Sequence, residues 1–444
     1  MKRLFPCILM LALLPAVLSA TEMRTLSLEE CVNVALEKNP EILQQEFNQK
    51  ITGRDEWIAA SNFLPQASIG MGYDHSVIGP SSSYRIDSQT GILVPVQTSE
   101  VESWGSSARA SVQQTFFNGG YNYFNYKQSR QLKKAADFGF EDTKQSIIYT
   151  VKERYYNLLM REKLLEVSEE SMKSAEESFK QADAMYQVGK VPKSDVLTAQ
   201  VQLEQSRLDL IEAQNMLSIA KASLNQVLGF QVDDEIGIVD NLDVPEESNI
   251  DYETAMTSSM TSHPSLLKSQ FNVKAAKSGI GMAASQFLPT VSGYFQYNWN
   301  HRDFDQISNM FDKDYNWQMG LSLSLPIFDG FSRIAQTSKA KLNYHWNEEV
   351  LSQTKRSIAL EVKEAFFNMN QAKRKITVAK SGKEAANENL RLNQEKYNLG
   401  AGTMLDLITA QVQFSTANSD YIQSLYSYKL GVARLQKAMG ELKQ

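Results

Sequence analysis

Side chains able to do chemistry are few in this chain and do not gather. The four histidines, His75, His263, His301 and His345, share no metal-ligand spacing, and no Gly-rich phosphate loop, nucleophile elbow or Cys pair appears. No catalytic, metal or cofactor site is therefore expected. Two carboxylates stand out instead, because Asp195 and Asp406 occupy the same place in a duplicated stretch. The first copy is Tyr186-Gln-Val-Gly189-Lys190-Val191-Pro192-Lys-Ser194-Asp195-Val-Leu-Thr-Ala-Gln-Val-Gln202. The second is Tyr397-Asn-Leu-Gly400-Ala401-Gly402-Thr403-Met-Leu-Asp406-Leu-Ile-Thr-Ala-Gln-Val-Gln413, at a constant offset of 211 residues. Both carboxylates suit helix starts: Asp195 follows a proline, and Thr403-x-x-Asp406 has capping-box spacing. Gly189 and Gly400 suit the positive φ of a helix end, and Tyr186 and Tyr397 close rows of packed residues.

The duplication covers more than this stretch. Asn39-Pro40 recurs as His263-Pro264 and Ser61-Asn-Phe-Leu-Pro65 as Ser285-Gln-Phe-Leu-Pro289, both at an offset of 224 residues. Phe117-Asn118-Gly119 recurs as Phe328-Asp329-Gly330, again at 211. The first half thus carries about 13 extra residues, placed in the Ser-, Gly- and Pro-rich stretch from Gly79 to Glu100 and read as an exposed loop. Each half opens with a helix stopped by a proline, Pro40 to Phe63 and Pro264 to Phe287. The period then changes to two. Ala67, Ile69, Met71 and Tyr73 alternate with small polar residues, as do Val291, Phe295, Tyr297 and Trp299 and the returning strands, giving one hairpin per half over 66–113 and 290–326. Long helix-competent runs follow, Tyr121 to Val188 and Phe331 to Leu399, each about 100 Å if continuous. Apolar residues recur every seven, as in Val151, Leu158, Leu165, Met172, Phe179, Tyr186 and Val196, Leu203, Leu210, Leu217, Leu224, which implies helices supercoiled side by side.

Met1 to Ala20 reads as a secretory signal peptide, with Lys2 and Arg3 before an apolar run. Cys7 lies inside that run, so no lipidated N-terminus is expected; Cys31 alone remains, so no intramolecular disulfide can form. The formal net charge is −6, about −8 without Lys2 and Arg3, which argues against a nucleic-acid partner. Nothing past residue 20 approaches a membrane-spanning helix, so any spanning part must be β. Strands of about ten alternating residues suit a tilted crossing, with Tyr73, Trp104, Trp299 and Trp317 near the loop ends as one aromatic girdle against outer lipid; the alternative is a soluble sandwich. Four strands cannot close a barrel. Two chains give a nearly filled eight-stranded barrel and three give twelve strands and a pore, so a homotrimer is expected. The fold class is mainly α with a small transmembrane β part: a trimeric twelve-stranded barrel, four strands per chain, continued by a long helical coiled-coil barrel. The chain divides into 21–230 as first repeat, 231–250 as acidic connector and 251–444 as second repeat.

This pattern resembles the TolC-like outer-membrane efflux proteins of Gram-negative bacteria. The resemblance rests on the opening Leu26-Ser-Leu-Glu-Glu-Cys31-Val-Asn-Val-Ala35-Leu36-Glu-Lys-Asn39-Pro40, the repeated Phe-Leu-Pro, the Phe-Asn/Asp-Gly and the doubled tip stretch. It implies a homotrimeric channel-tunnel in the outer membrane, reaching into the periplasm and giving a passive exit path to a tripartite efflux or type I secretion system. It also implies a tip that docks a periplasmic adaptor coupled to an inner-membrane pump, through turns at Gly189, Lys190, Val191, Pro192 and Gly400, Ala401, Gly402, Thr403. Family gate links fall on Ser194, Asp195 and Tyr397 beside Tyr186, and the acidic ring falls on Asp406. Gly402 stands where a basic residue can complete the link, and Thr409 where a second acid can follow. Two rivals are open: a trimeric structural or adhesive stalk, which would gather its bulk at one end of the chain, and a soluble periplasmic adaptor, which would lack aromatic-ended hairpins.

Overall fold

The computed structural model describes residues 24–239, 250–302 and 304–442; the signal-peptide stretch 1–20 and connector residues 240–249 lie outside them. After β1 (Arg24–Leu26) and α1 (Leu28–Lys38), the first repeat runs α2 (Pro40–Ser61), β2 (Gln66–Ile78), β3 (Ser81–Ile86), β4 (Leu93–Thr98), β5 (Val101–Asn118), α3 (Tyr121–Gln187) and α4 (Lys193–Leu228). Then come β6 (Ile236–Ile238) and α5 (Tyr252–Ser262), and the second repeat follows as α6 (Pro264–Ser285), β7 (Thr290–His301), β8 (Tyr315–Ser324), α7 (Ser332–Asn398) and α8 (Met404–Ala438). Both α3 and α7 are unbroken for 67 residues. The repeated X-Pro starts share one device: Asn39 Oδ1 accepts from Glu41 N (2.8 Å) and His263 Nδ1 from Ser265 N (3.2 Å). His263 is a helix cap.

Three local readings are corrected. The stretch from Gly79 to Glu100 is exposed but not structureless, because β3 and β4 pair antiparallel across it. Tyr84, Ile86, Leu93, Val94 and Val96 favour strand, and Gly91 (φ 66°) closes the turn between them. The acidic connector contains β6, which pairs parallel with β1 and buries Ile236; Tyr155 Oη donates to Val239 O at 2.6 Å just beyond it. The helices α1 and α5 precede the two X-Pro starts and were not foreseen.

By packing, the chain forms two compact units, Met1–Leu43 with Lys144–Met256 and Glu361–Gln444, and Gln44–Thr143 with Thr257–Leu360, so both repeats contribute to both. In the first unit the seven-residue rows are the packed face: Val151, Leu158, Leu224, Val362, Met369 and Leu435 are all buried. Among the described residues no helix is long and apolar enough to cross a membrane.

The second unit holds an antiparallel sheet ordered β2-β5-β7-β8, so the two hairpins are joined through β5 and β7. Its register separates two faces. One carries Ile69, Met71, Val112, Phe295, Met319, Leu321 and Leu323, all exposed. The other is a polar ladder: Ser68 and Ser111 hydroxyls lie 2.8 Å apart, Arg109 Nε donates to Asn298 Oδ1 (2.9 Å), and Gln318 Nε2 to Gln296 Oε1 (2.9 Å). Strands β2 and β8 are its edges.

Where strand gives way to helix, the Phe-Asn/Asp-Gly motif explains itself. Asn118 Nδ2 donates to Asn122 Oδ1 (2.8 Å), and Asn122 Nδ2 donates to Asn62 O (2.9 Å) at the end of α2. The second repeat makes the same tie with charge: Arg333 Nε donates to Asp329 Oδ2 (2.8 Å), and Nη1 reaches Pro326 O (2.7 Å) and Gln286 O (3.4 Å). Arg333→Ala should therefore destabilise by about 2 kcal/mol and Asn122→Ala by about 1, since hydrogen bonds to charged groups are worth more. Thermal unfolding of the detergent-solubilised protein reads the difference, and equal losses would contradict the charged tie.

The helical tip as candidate gate

Two glycine turns connect the long helices to their return helices, and their backbones are alike. Gly189 (φ 74°) donates its N–H to Tyr186 O (2.8 Å) while Lys190 N reaches Met185 O (2.9 Å). Gly400 (φ 73°) donates to Tyr397 O (3.0 Å) while Ala401 N reaches Lys396 O (2.8 Å). This is the Schellman pattern, and the left-handed φ alone calls for glycine, since a Cβ at either position would meet nothing within 4 Å.

The helix starts that follow are not alike. Thr403 caps α8 in a full capping box: Asp406 N donates to Thr403 Oγ1 (3.1 Å), while Asp406 Oδ2 accepts from Thr403 N (3.2 Å) and Thr403 Oγ1 (2.7 Å). The Thr403 hydroxyl and N–H, with Lys396 nearby, hold the Asp406 carboxyl below its usual range. At α4 the cap position is Pro192, which has no side-chain acceptor and makes no cap bond. Capping by Asp195 is thus corrected: its carboxylate is free of that duty, and among the described residues its Oδ1 accepts a long bond from Ser194 Oγ (3.5 Å).

The tyrosines differ too. Tyr397 is 2% exposed in a cluster with Ala182, Val196, Ala199, Met404 and Leu407, whereas Tyr186 is 42% exposed, correcting its reading as a packed row end. The Tyr397 hydroxyl is buried with no hydrogen-bond partner among the described residues. Burial raises its pKa, and the Asp195 carboxylate adds to the rise. Gly402 has no left-handed φ; a Cβ there would sit 3.1 Å from Lys396 Cβ, so the chain passes close at this point. Lys190 and Ala401 are exposed, and Val191 is half-buried.

Sequence reasoning missed the amide ties between helices. Gln181 Nε2 donates to Asn398 Oδ1 (2.7 Å), linking α3 to α7, and Gln411 Nε2 donates to Ser178 Oγ (2.8 Å) and Ser174 Oγ (3.0 Å), linking α8 to α3. Gln411 belongs to the duplicated Thr-Ala-Gln-Val-Gln run, which marks the residue but not its partners, and Gln181 lies outside it.

At the loop end of the sheet Tyr73, Trp104, Trp299 and Trp317 share the apolar face, with Tyr73 and Trp104 stacked at 5.4 Å. Trp299 departs from the expected exposure: only 1% of it is open, opposite Ala108. The following loop returns over this face, where Tyr297 Oη donates to Met310 O (2.5 Å) and its ring packs against Phe311. At the other strand ends Phe63, Phe117, Phe287, Ile327 and Phe328 are exposed, a second apolar band whose signal was the repeated Phe-Leu-Pro and Phe-Asn/Asp-Gly.

A four-stranded sheet with one apolar and one polar face, in a chain whose two long helices turn back at glycines, is the layout of an outer-membrane channel protein. The chain belongs to the outer membrane efflux protein family, whose model matches residues 31–230 and 257–441. It is 23% identical to outer membrane protein TolC of Vibrio cholerae over 422 residues, covering 94% of this chain and 91% of that protein. It is also 23% identical to TolC of Escherichia coli, covering 100% and 87%. Its fold matches the crystal structure of the Campylobacter jejuni CmeC outer membrane channel with a TM-score of 0.80 at 19% identity, covering 94% and 86%.

The two titrating groups set opposite pH limits on the tip. Asp406, depressed on folding, contributes stability that is present above its unfolded value and lost as pH falls below about 4. Tyr397, raised on folding, contributes stability that is complete below about pH 10 and lost as pH rises through its folded value. Tyr397→Phe should therefore remove one component of the tyrosinate absorbance that titrates above the ordinary tyrosine range and leave the acid limit in place. An unchanged alkaline titration would contradict the burial of that hydroxyl.

Proposed function

We propose that three copies of this chain form an outer-membrane channel-tunnel, a passive exit path that docks a periplasmic adaptor and an inner-membrane pump at its helical tip. The single observation that carries the reading is the sheet. Its exposed apolar face suits lipid, its polar ladder suits a water-filled lumen, and its two edges need strands from other copies because unpaired backbone cannot sit in hydrocarbon. Three chains supply twelve strands, wide enough to leave a pore. The girdle of Tyr73, Trp104 and Trp317 and the band of Phe63, Phe117 and Phe328 fit the two interfaces of one bilayer.

Substrate moves through such a conduit by energy supplied elsewhere, so the chain itself catalyses nothing. The gate is built from Asp195, Ser194 and Tyr397 with Asp406 beside them, and Tyr186 lines its exposed side. Closing contacts form around Tyr397, whose buried hydroxyl faces the Asp195 field. The adaptor docks on the turns Gly189–Pro192 and Gly400–Thr403. A ring of three Asp406 carboxylates favours cations through like-charge crowding.

Purified protein in planar lipid bilayers should conduct ions and prefer cations, with the preference reduced in Asp406→Asn. Absence of conductance would overturn the channel reading. Conductance with unchanged selectivity would leave the channel and remove Asp406 from the lumen.

A further inference from the structure

Resting only on the placement of the sheet in the outer membrane, we infer that the helix faces next to the second apolar band bind anionic phospholipid head groups of the periplasmic leaflet. The chain as a whole is acidic, with a formal net charge of −6. Yet α3 carries Lys127, Arg130, Lys133 and Lys134 before its first acid, Asp137, and α6 carries Lys268, Lys274 and Lys277 with no acid at all. Helices α2 and α6 of the same chain flank α3. On the α2 side Lys133 pairs with Glu56 (3.1 Å) and Asp137 Oδ1 accepts from Gln49 Nε2 (2.8 Å); on the α6 side Gln128 Nε2 donates to Ala275 O (3.3 Å) and Phe138 stacks on Phe271. Between the two contact faces runs one exposed stripe at helical spacing: Tyr123, Lys127, Arg130 and Lys134. No second copy is needed to build it.

The stripe faces the lipid side. Seen from the apolar face of the sheet with its loops uppermost, β8 lies to the left of β7, because Asn300 on the polar face donates its N–H to Asp314 O (3.3 Å). Strand β2, and with it α2, is then to the right of α3, and α6 is to its left. A right-handed helix descending between them turns Tyr123, Lys127, Arg130 and Lys134 toward the viewer. At 1.5 Å per residue Lys127 lies about 6 Å beyond Tyr123 and Arg130 about 10 Å, the depth of a head-group layer; Lys134 follows about 6 Å further, within a Debye length. Lys134 and Lys274 converge from two helices on one ring, their ammonium groups 5.4 and 4.4 Å from the Phe271 centroid, and among the described residues neither pairs with a carboxylate. Two cations held together repel unless an anion joins them, and lipid phosphate supplies one. Lys277 lies with Lys274 on the exposed stripe of α6 that ends at Ala284 and Leu288. An aromatic ring above and long cationic side chains below is the order a membrane interface takes.

Native mass spectrometry of the intact protein in mild detergent, titrated with phosphatidylglycerol or with phosphatidylethanolamine, reads the preference. The wild type should retain phosphatidylglycerol over phosphatidylethanolamine. Lys127→Gln with Arg130→Gln should lower retention of phosphatidylglycerol roughly twenty-five-fold, since each cation at an anionic surface is worth about fivefold. Lys375→Gln with Lys380→Gln, exposed and far along α7, should leave it unchanged. No preference in the wild type, an equal loss in both double variants, or an undiminished preference in the first would overturn the lipid surface. Displacement of phosphatidylglycerol by millimolar inorganic phosphate would also overturn it, making the stripe a site for free anions. A wild type that retains phosphatidylglycerol yet conducts nothing in planar bilayers would overturn the channel reading and leave the lipid surface standing.

Discussion

A row of backbone N–H and C=O groups with no partner cannot remain in hydrocarbon, and that constraint governs this molecule. The sheet of four strands ends in β2 and β8, and its exposed face is apolar along most of its length. In water such an edge invites aggregation; in a membrane it demands another chain. Assembly is thus a condition of the fold. The outer-membrane efflux family membership of the chain and its likeness to channel structures are the evolutionary side of the same requirement.

Duplication makes that requirement easy to meet. The hairpin of one repeat pairs with that of the other inside the chain, and the joined sheet ends in one strand from each repeat. The repeats have since diverged where their roles differ. At the strand-to-helix junction the first uses Asn118 and Asn122 and the second Asp329 and Arg333. At the tip the first starts its return helix at Pro192 and the second at a Thr403 capping box. That single exchange separates two aspartates with equal positions: Asp406 is held by its own helix start, and Asp195 remains available to the field around Tyr397.

Much of this was legible in the sequence because it depends on period. The change from alternation to seven-residue rows, the Gly turns, the proline stops and the constant offsets each have one local physical cause, and the corresponding elements appear where they were expected. Contacts without a period were not legible. The exposure of Tyr186 and burial of Trp299 depend on which neighbours close over each ring, and equal places in the two repeats gave no warning of unequal surroundings. Strand β6 was hidden because three residues among acidic neighbours carry too little pattern, although the partner β1 lies more than two hundred residues away and needs them. The amide ties of Gln181 and Gln411 rest on side-chain geometry that composition does not encode.

Closure of the barrel by several chains is the central claim, and the mass of the particle extracted from the outer membrane tests it most directly. Native mass spectrometry or sedimentation in mild detergent should find a single species of three chains. A stable monomer, or a dimer with no larger species, would contradict it, since neither supplies the strands to pair β2 and β8 around an open pore.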